Sequence, residues 1–125
     1  IYFEKYGFIP TFFLGPLEKN LKDIISKKVS NSYFPEEKIK DFSGPEIVMA
    51  CSSYMNFSIG NDGGTTQMLS VNNKLLFKIS GPTNSIKFTP NKKNIIIIDS
   101  KDHGSNNVNS IKVDNVIDLI KKNLT

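Results

Sequence analysis

The richest run of ligand-binding chemistry in this chain is Gly60-Asn61-Asp62-Gly63-Gly64-Thr65-Thr66. Three glycines within five residues let a backbone approach a ligand closely and adopt conformations closed to other residues. A helix starting there would add unbonded N–H groups and a positive dipole end, which suit a phosphate or diphosphate. Thr65 and Thr66 contribute hydroxyl donors at the same place. A carboxylate at Asp62 repels phosphate, so it fits only if it turns away and accepts from sugar hydroxyls or from loop N–H groups. A plain tight turn, with Asn or Asp capping the next helix, accounts for the same residues. The run has neither the Gly-Lys-Ser/Thr of a Walker loop nor the Gly-x-Gly-x-x-Gly of a dinucleotide fold.

Other chemically able residues stand singly. His103, between Asp102 and Gly104, has no second histidine or cysteine cluster near it and reads as a solvated loop residue rather than a metal ligand. Cys51 reads as a small core residue, since no histidine is close enough in sequence to activate it. Lys78 could reach a phosphate, although an outward-facing lysine on a strand is the plainer reading. Glu18, taken alone, is helix-start electrostatics.

The elements around these residues alternate. Ile1–Tyr6 resembles a helix tail stopped by Gly7. Ile9–Leu14 is a short β-favouring run that turns at Gly15-Pro16. Leu17, Leu21, Ile24, Ile25 and Val29 recur at helical spacing. Ser32–Phe34 is a very short strand ended by Pro35. Ser43-Gly44-Pro45-Glu46 is a capping box with an early proline, opening a helix over Pro45–Ser52. Strands are expected at Tyr54–Ile59, Leu75–Ile79 and Ile95–Ile98, the last buried on both faces. Helices are expected at Thr66–Val71 and from Val113 to Leu124, with a polar loop over Asp99–Ser110. The alternation predicts an α/β fold: a Rossmann-like, mostly parallel sheet with helices on both faces. In such folds ligands lie beyond the carboxyl ends of strands. That directs attention to the loops Gly15–Glu18, Gly60–Thr66 and Ser80–Asn84.

Three of these stretches carry a family likeness. Ala50-Cys-Ser-Ser-Tyr-Met-Asn-Phe-Ser-Ile-Gly-Asn-Asp-Gly-Gly-Thr-Thr-Gln67, followed by Leu75-Leu-Phe-Lys-Ile-Ser-Gly-Pro-Thr-Asn84, resembles the signature of glycosyltransferase family 9, the ADP-heptose:lipopolysaccharide heptosyltransferases. That family has a strand, then Asn-Asp-Ser/Thr-Gly-x-x-His opening a helix, then a strand ending Phe-Gly-Pro-Thr-Asp. Phe13-Leu-Gly-Pro-Leu-Glu18 is similar to its strand–Gly-Pro-x-Glu–helix element. The three motifs stand in the family's order and span Ile9 to Asn84.

The resemblance implies a two-domain GT-B fold with the active site in the cleft, of which residues 1–125 would be the carboxy-terminal, nucleotide-sugar-binding domain. On that reading the domain lacks its first strand, and an amino-terminal acceptor domain outside this chain supplies a carboxylate base. No catalytic residue and no metal ligand is then expected here. By position, Asp62 would contact the donor sugar, while Gly63, Gly64, Thr65 and Thr66 would surround the diphosphate. Glu18 would accept from the ribose hydroxyls, Phe42 and Ser43 would lie near the nucleobase, and Gly81-Pro82-Thr83 would border the cleft. Gly63 replaces the family's Ser or Thr, and Gln67 replaces its His, which exchanges an imidazole contact to the diphosphate for an amide. The implied function is transfer of a sugar, heptose by the family's habit, from ADP-heptose as substrate to a lipopolysaccharide-type glycolipid. No cofactor is involved. The setting would be cytoplasmic, at the inner face of the membrane. The alternative, from a different class, is a noncatalytic α/β nucleotide- or phosphate-binding module.

Composition agrees with a globular domain: 125 residues, 38% hydrophobic and 22% charged. The net charge of +4 comes from lysine alone, as the sequence contains no arginine. Nucleic-acid readers depend on bidentate arginine contacts, so nucleic acid is not an expected partner. A positive charge remains compatible with a phosphorylated substrate or an anionic membrane surface. The single cysteine cannot form an internal disulfide.

Overall fold

In the computed structural model the described residues are 4–72, 74–82 and 93–124. The chain divides into two compact units, Ile1–Cys51 and Ser52–Thr125.

In the first unit, a 3-10 turn at Glu4–Tyr6 ends on Gly7, whose φ of 83° is a left-handed value that favours glycine. The apolar run from Ile9 forms no full strand. It makes a single parallel bridge, Thr11 to Tyr33, with Phe12 N–H donating to the Tyr33 carbonyl at 2.9 Å and Tyr33 N–H to that of Pro10 at 2.8 Å. Phe12 and Phe34 stack there at 5.7 Å. Helix α1 spans Leu21–Lys28, four residues later than the spacing predicts, because Gly15–Glu18 and its successors are taken up by turns. Helix α2 is Pro35–Lys38, and α3 is Gly44–Ser52. The capping box at α3 is present in full. Ser43 N–H donates to Glu46 Oε2 at 2.8 Å, and Glu46 N–H approaches Ser43 Oγ at 3.4 Å.

The second unit is built on a three-stranded parallel sheet in the order β1-β2-β3, with β1 at Phe57–Asn61, β2 at Leu75–Ser80 and β3 at Ile95–Asp99. Helix α4, Gly64–Leu69, links β1 to β2, and α5, Val113–Leu124, closes the chain. The polar stretch after β3 is not an irregular loop. It winds into 3-10 turns at Ser100–His103 and Val108–Ser110, held by Asp99 and Asn107 accepting from the N–H groups two residues on.

This is an α/β arrangement compatible with a Rossmann-like fold. Most of the β2–β3 connection, Thr83 included, lies outside the described residues. The order of the described strands follows the sequence, so no reversal of strand order occurs among them.

Burial corrects one expectation. The four isoleucines of β3 were expected to be covered on both faces, yet only Ile98 is fully buried. β3 is an outer strand of the described sheet, whereas β2 has neighbours on both sides and supplies Leu76 and Phe77 to the core. Leu69 from α4 and Ile120 from α5 complete that core.

Candidate functional site

The β1–β2 register, Phe57↔Leu75 through Asn61↔Ile79, runs both strands out at the same end of the sheet. The ladder continues one step further: Asp62 N–H donates to the Ile79 carbonyl at 3.0 Å. Gly63 then adopts a fully extended conformation as the N-cap of α4 and contributes no side-chain cap. A helix start leaves its first N–H groups without intrahelical acceptors. Among the described residues, no backbone carbonyl accepts from the N–H of Gly63, Gly64, Thr65 or Thr66; the first bond of the turn is Gln67 N–H to Gly63 O at 3.1 Å. Gly63, Gly64, Thr65 and Gln67 are exposed.

Thr66 behaves differently from its neighbour Thr65. It is buried, and its hydroxyl donates to the Asn61 carbonyl, which locks the loop across its base. Its remaining offer to a ligand is therefore the N–H rather than the hydroxyl. The same contact explains Gly60. A Cβ there would overlap the Thr66 hydroxyl, so the close approach of strand and helix requires a residue without one.

The residue that sequence reasoning misplaced is Lys78. It lies on β2 opposite Gly60, is 3% exposed, and its Nζ meets Asp62 Oδ1 at 2.9 Å. An outward-facing lysine is thus replaced by a buried one paired with the half-buried Asp62 of the glycine-rich loop. A signal was available: a charge inside the apolar run Leu75-Leu-Phe-Lys-Ile79, on a strand of a parallel sheet, can be buried only with a partner. The pair also accounts for an acid in a loop suited to anions, because Asp62 is held by a cation.

Further polar groups lie at and beyond the carboxyl ends of β2 and β3. Side chains alternate along a strand, so Ser80 lies on the same face of β2 as Lys78. It is paired with Asp99 across to β3. Its hydroxyl is fully buried and has no hydrogen-bond partner among the described residues, and the same holds for Ser100. Asp99 accepts from Lys101 N–H at 2.9 Å. Pro82 lines an open hollow with Ser105, Asn106 and Val108.

Glu18 and Ser43 belong to the first unit. The Glu18 carboxylate accepts from Gly15 N–H at 3.0 Å while Glu18 N–H donates to the Gly15 carbonyl at 2.9 Å, a reciprocal closure of the Gly-Pro-Leu-Glu turn. Both hydrogen-bonding groups of Ser43 that face Glu46 serve the α3 cap, and Phe42 beside it is exposed. Ser43 N–H first, and its hydroxyl second, hold the Glu46 carboxyl below its ordinary range. Burial pushes the Cys51 thiol up, which keeps it protonated.

Among the described residues no group of three or more His, Cys, Asp or Glu side chains could hold a metal ion, and no helix is long and apolar enough to cross a membrane. Compared with protein-family models, curated proteins and solved structures, the chain matches none.

Proposed function

We propose that this chain supplies nucleotide-sugar donor binding to a glycosyltransferase that moves a sugar, heptose by the family resemblance, onto a lipopolysaccharide-type acceptor. The observation that carries the reading is the β1 exit, where among the described residues no backbone carbonyl accepts from four successive N–H groups, Gly63 to Thr66, beside a lysine-held carboxylate at Asp62. In the reaction, an acceptor oxygen bonds to the anomeric carbon, the bond from that carbon to the diphosphate breaks, and a base takes the acceptor proton. Negative charge grows on the departing diphosphate, where fixed N–H dipoles stabilise it without reorganising. The base belongs to an amino-terminal acceptor domain, and the work is done at the inner face of the cytoplasmic membrane. The choice of a transferase over any other phosphate binder rests on the three ordered sequence motifs.

A noncatalytic phosphate-binding module is favoured by one observation: Lys78 already engages Asp62 Oδ1, which leaves the loop amides as the main anchor. Titration calorimetry separates the two readings. Tighter binding of ADP-heptose than of ADP supports the transferase; equal binding supports the module. In the full-length chain, Asp62→Ala should cut transfer by tenfold or more, about 1.4 kcal/mol of transition-state stabilisation. Transfer at the wild-type rate would remove Asp62 from the donor site.

A further inference from the structure

We infer that Lys78 is a positioning residue whose task is to cancel the charge of Asp62, so that a polyanionic ligand is tolerated at the end of β1; the inference rests on the donor-site reading above. Four features of the structure meet here. Lys78 is almost wholly buried, and a buried ammonium needs a partner. Its partner is Asp62, at 2.9 Å, placed by the Asp62 N–H bond to Ile79 immediately before the loop. Gly60 lies opposite Lys78 in the β1–β2 register and presents no side chain between them. Ser80, two residues nearer the carboxyl end on the same face, keeps a fully buried hydroxyl without a hydrogen-bond partner among the described residues.

The physical argument is one of sign. A lone carboxylate a few ångströms from the diphosphate would repel each of its charges, strongly so where little water intervenes. A close ion pair presents a dipole instead of a charge, and its interaction with an anion falls off faster with distance. Lys78 therefore acts through Asp62 rather than by touching the ligand, and the effect of removing it should grow with the ligand's charge. A merely structural lysine would affect all ligands alike.

The test uses adenosine, AMP and ADP as probes on the full-length chain, at a temperature where each variant remains folded by circular dichroism. Lys78→Met should weaken ADP about tenfold, AMP less, and adenosine hardly at all. Asp62→Asn, which removes the carboxylate charge from beside the loop, should bind ADP more tightly than wild type. The neutral double variant, Asp62→Asn with Lys78→Met, should return ADP affinity to within about threefold of wild type, a difference of roughly 0.7 kcal/mol. If Lys78→Met does not fold, the comparison of Asp62→Asn with the double variant decides alone: ADP must be held more tightly by the single. Equal losses for all three probes, or unchanged ADP binding, overturn the inference and leave the donor site standing. Failure of the wild-type protein to bind ADP overturns the donor-site reading and this inference together.

Discussion

A methyl group added at Gly60 would overlap the Thr66 hydroxyl, the group that ties α4 back to the Asn61 carbonyl. The cost is that of overpacking, about 1–3 kcal/mol, and it falls on the loop proposed to hold phosphate. Gly60→Ala should therefore lower the melting temperature, and adding Thr66→Ala should recover part of the loss, since the truncated side chain makes room. A double-mutant cycle measures the coupling. Additive effects would mean that the two positions do not meet as described. At this scale the sequence was informative about types and poor about partners. The expected need for glycine beside the helix start holds at Gly60 but not at Gly63 or Gly64, where an added Cβ would meet open space and φ is not left-handed. That Thr66 faces inward while Thr65 faces out was not legible, because both stand in one short turn whose rotation depends on how Leu69 enters the core. Lys78 was misread for the same reason: its partner, Asp62, is sixteen positions earlier, and no local pattern joins them.

Among the elements, those with caps or unbroken apolar runs were the most legible. α3 starts where the Ser43–Glu46 box says it should, and β2 begins at the predicted Leu75. α1 was overextended because Leu17 fits the helical period while Gly15-Pro16 and Glu18 prefer a closed turn. The burial of β3 was overread because four isoleucines in a row do not reveal whether a strand has one neighbour or two. The α3 cap carries a pH prediction. A carboxyl whose folded pKa is depressed adds stability that is present above its unfolded value and lost as pH falls through the folded one. Glu46 is such a group, with an ordinary value of 4.5. Glu46→Gln should thus melt below wild type at pH 7, and the gap should narrow as pH falls below 4.5 and the carboxyl takes up its proton. A gap that stays constant over this range would show that the charge of Glu46 is not what the cap uses.

For the molecule as a whole, the two units differ in how their backbones are held. The first relies on short helices and one isolated bridge, the second on a central strand hydrogen-bonded along both edges. Local opening is easiest where few backbone groups are tied into a core. Amide exchange should accordingly be slowest at Leu76, Phe77 and Ile79, and faster throughout residues 4–42. Protection of Phe12 or Tyr33 equal to that of Phe77 would show that the bridge is part of a single cooperative unit. The α/β class was readable at this scale from alternation alone. The division near residue 51 was not, since no run of glycine, proline or charge marks it.

That division falls inside the last turn of α3, which ends at Ser52. Ser52 is buried and takes a hydrogen bond from Asn72, just after α4. Anyone dissecting the protein into expressible pieces should therefore not sever it between Cys51 and Ser52. Such a cut would fray a helix and strip a sequestered hydroxyl of the backbone that aims it. A scissor point ahead of Ser43 would carry the whole helix, with its own cap, along with the sheet.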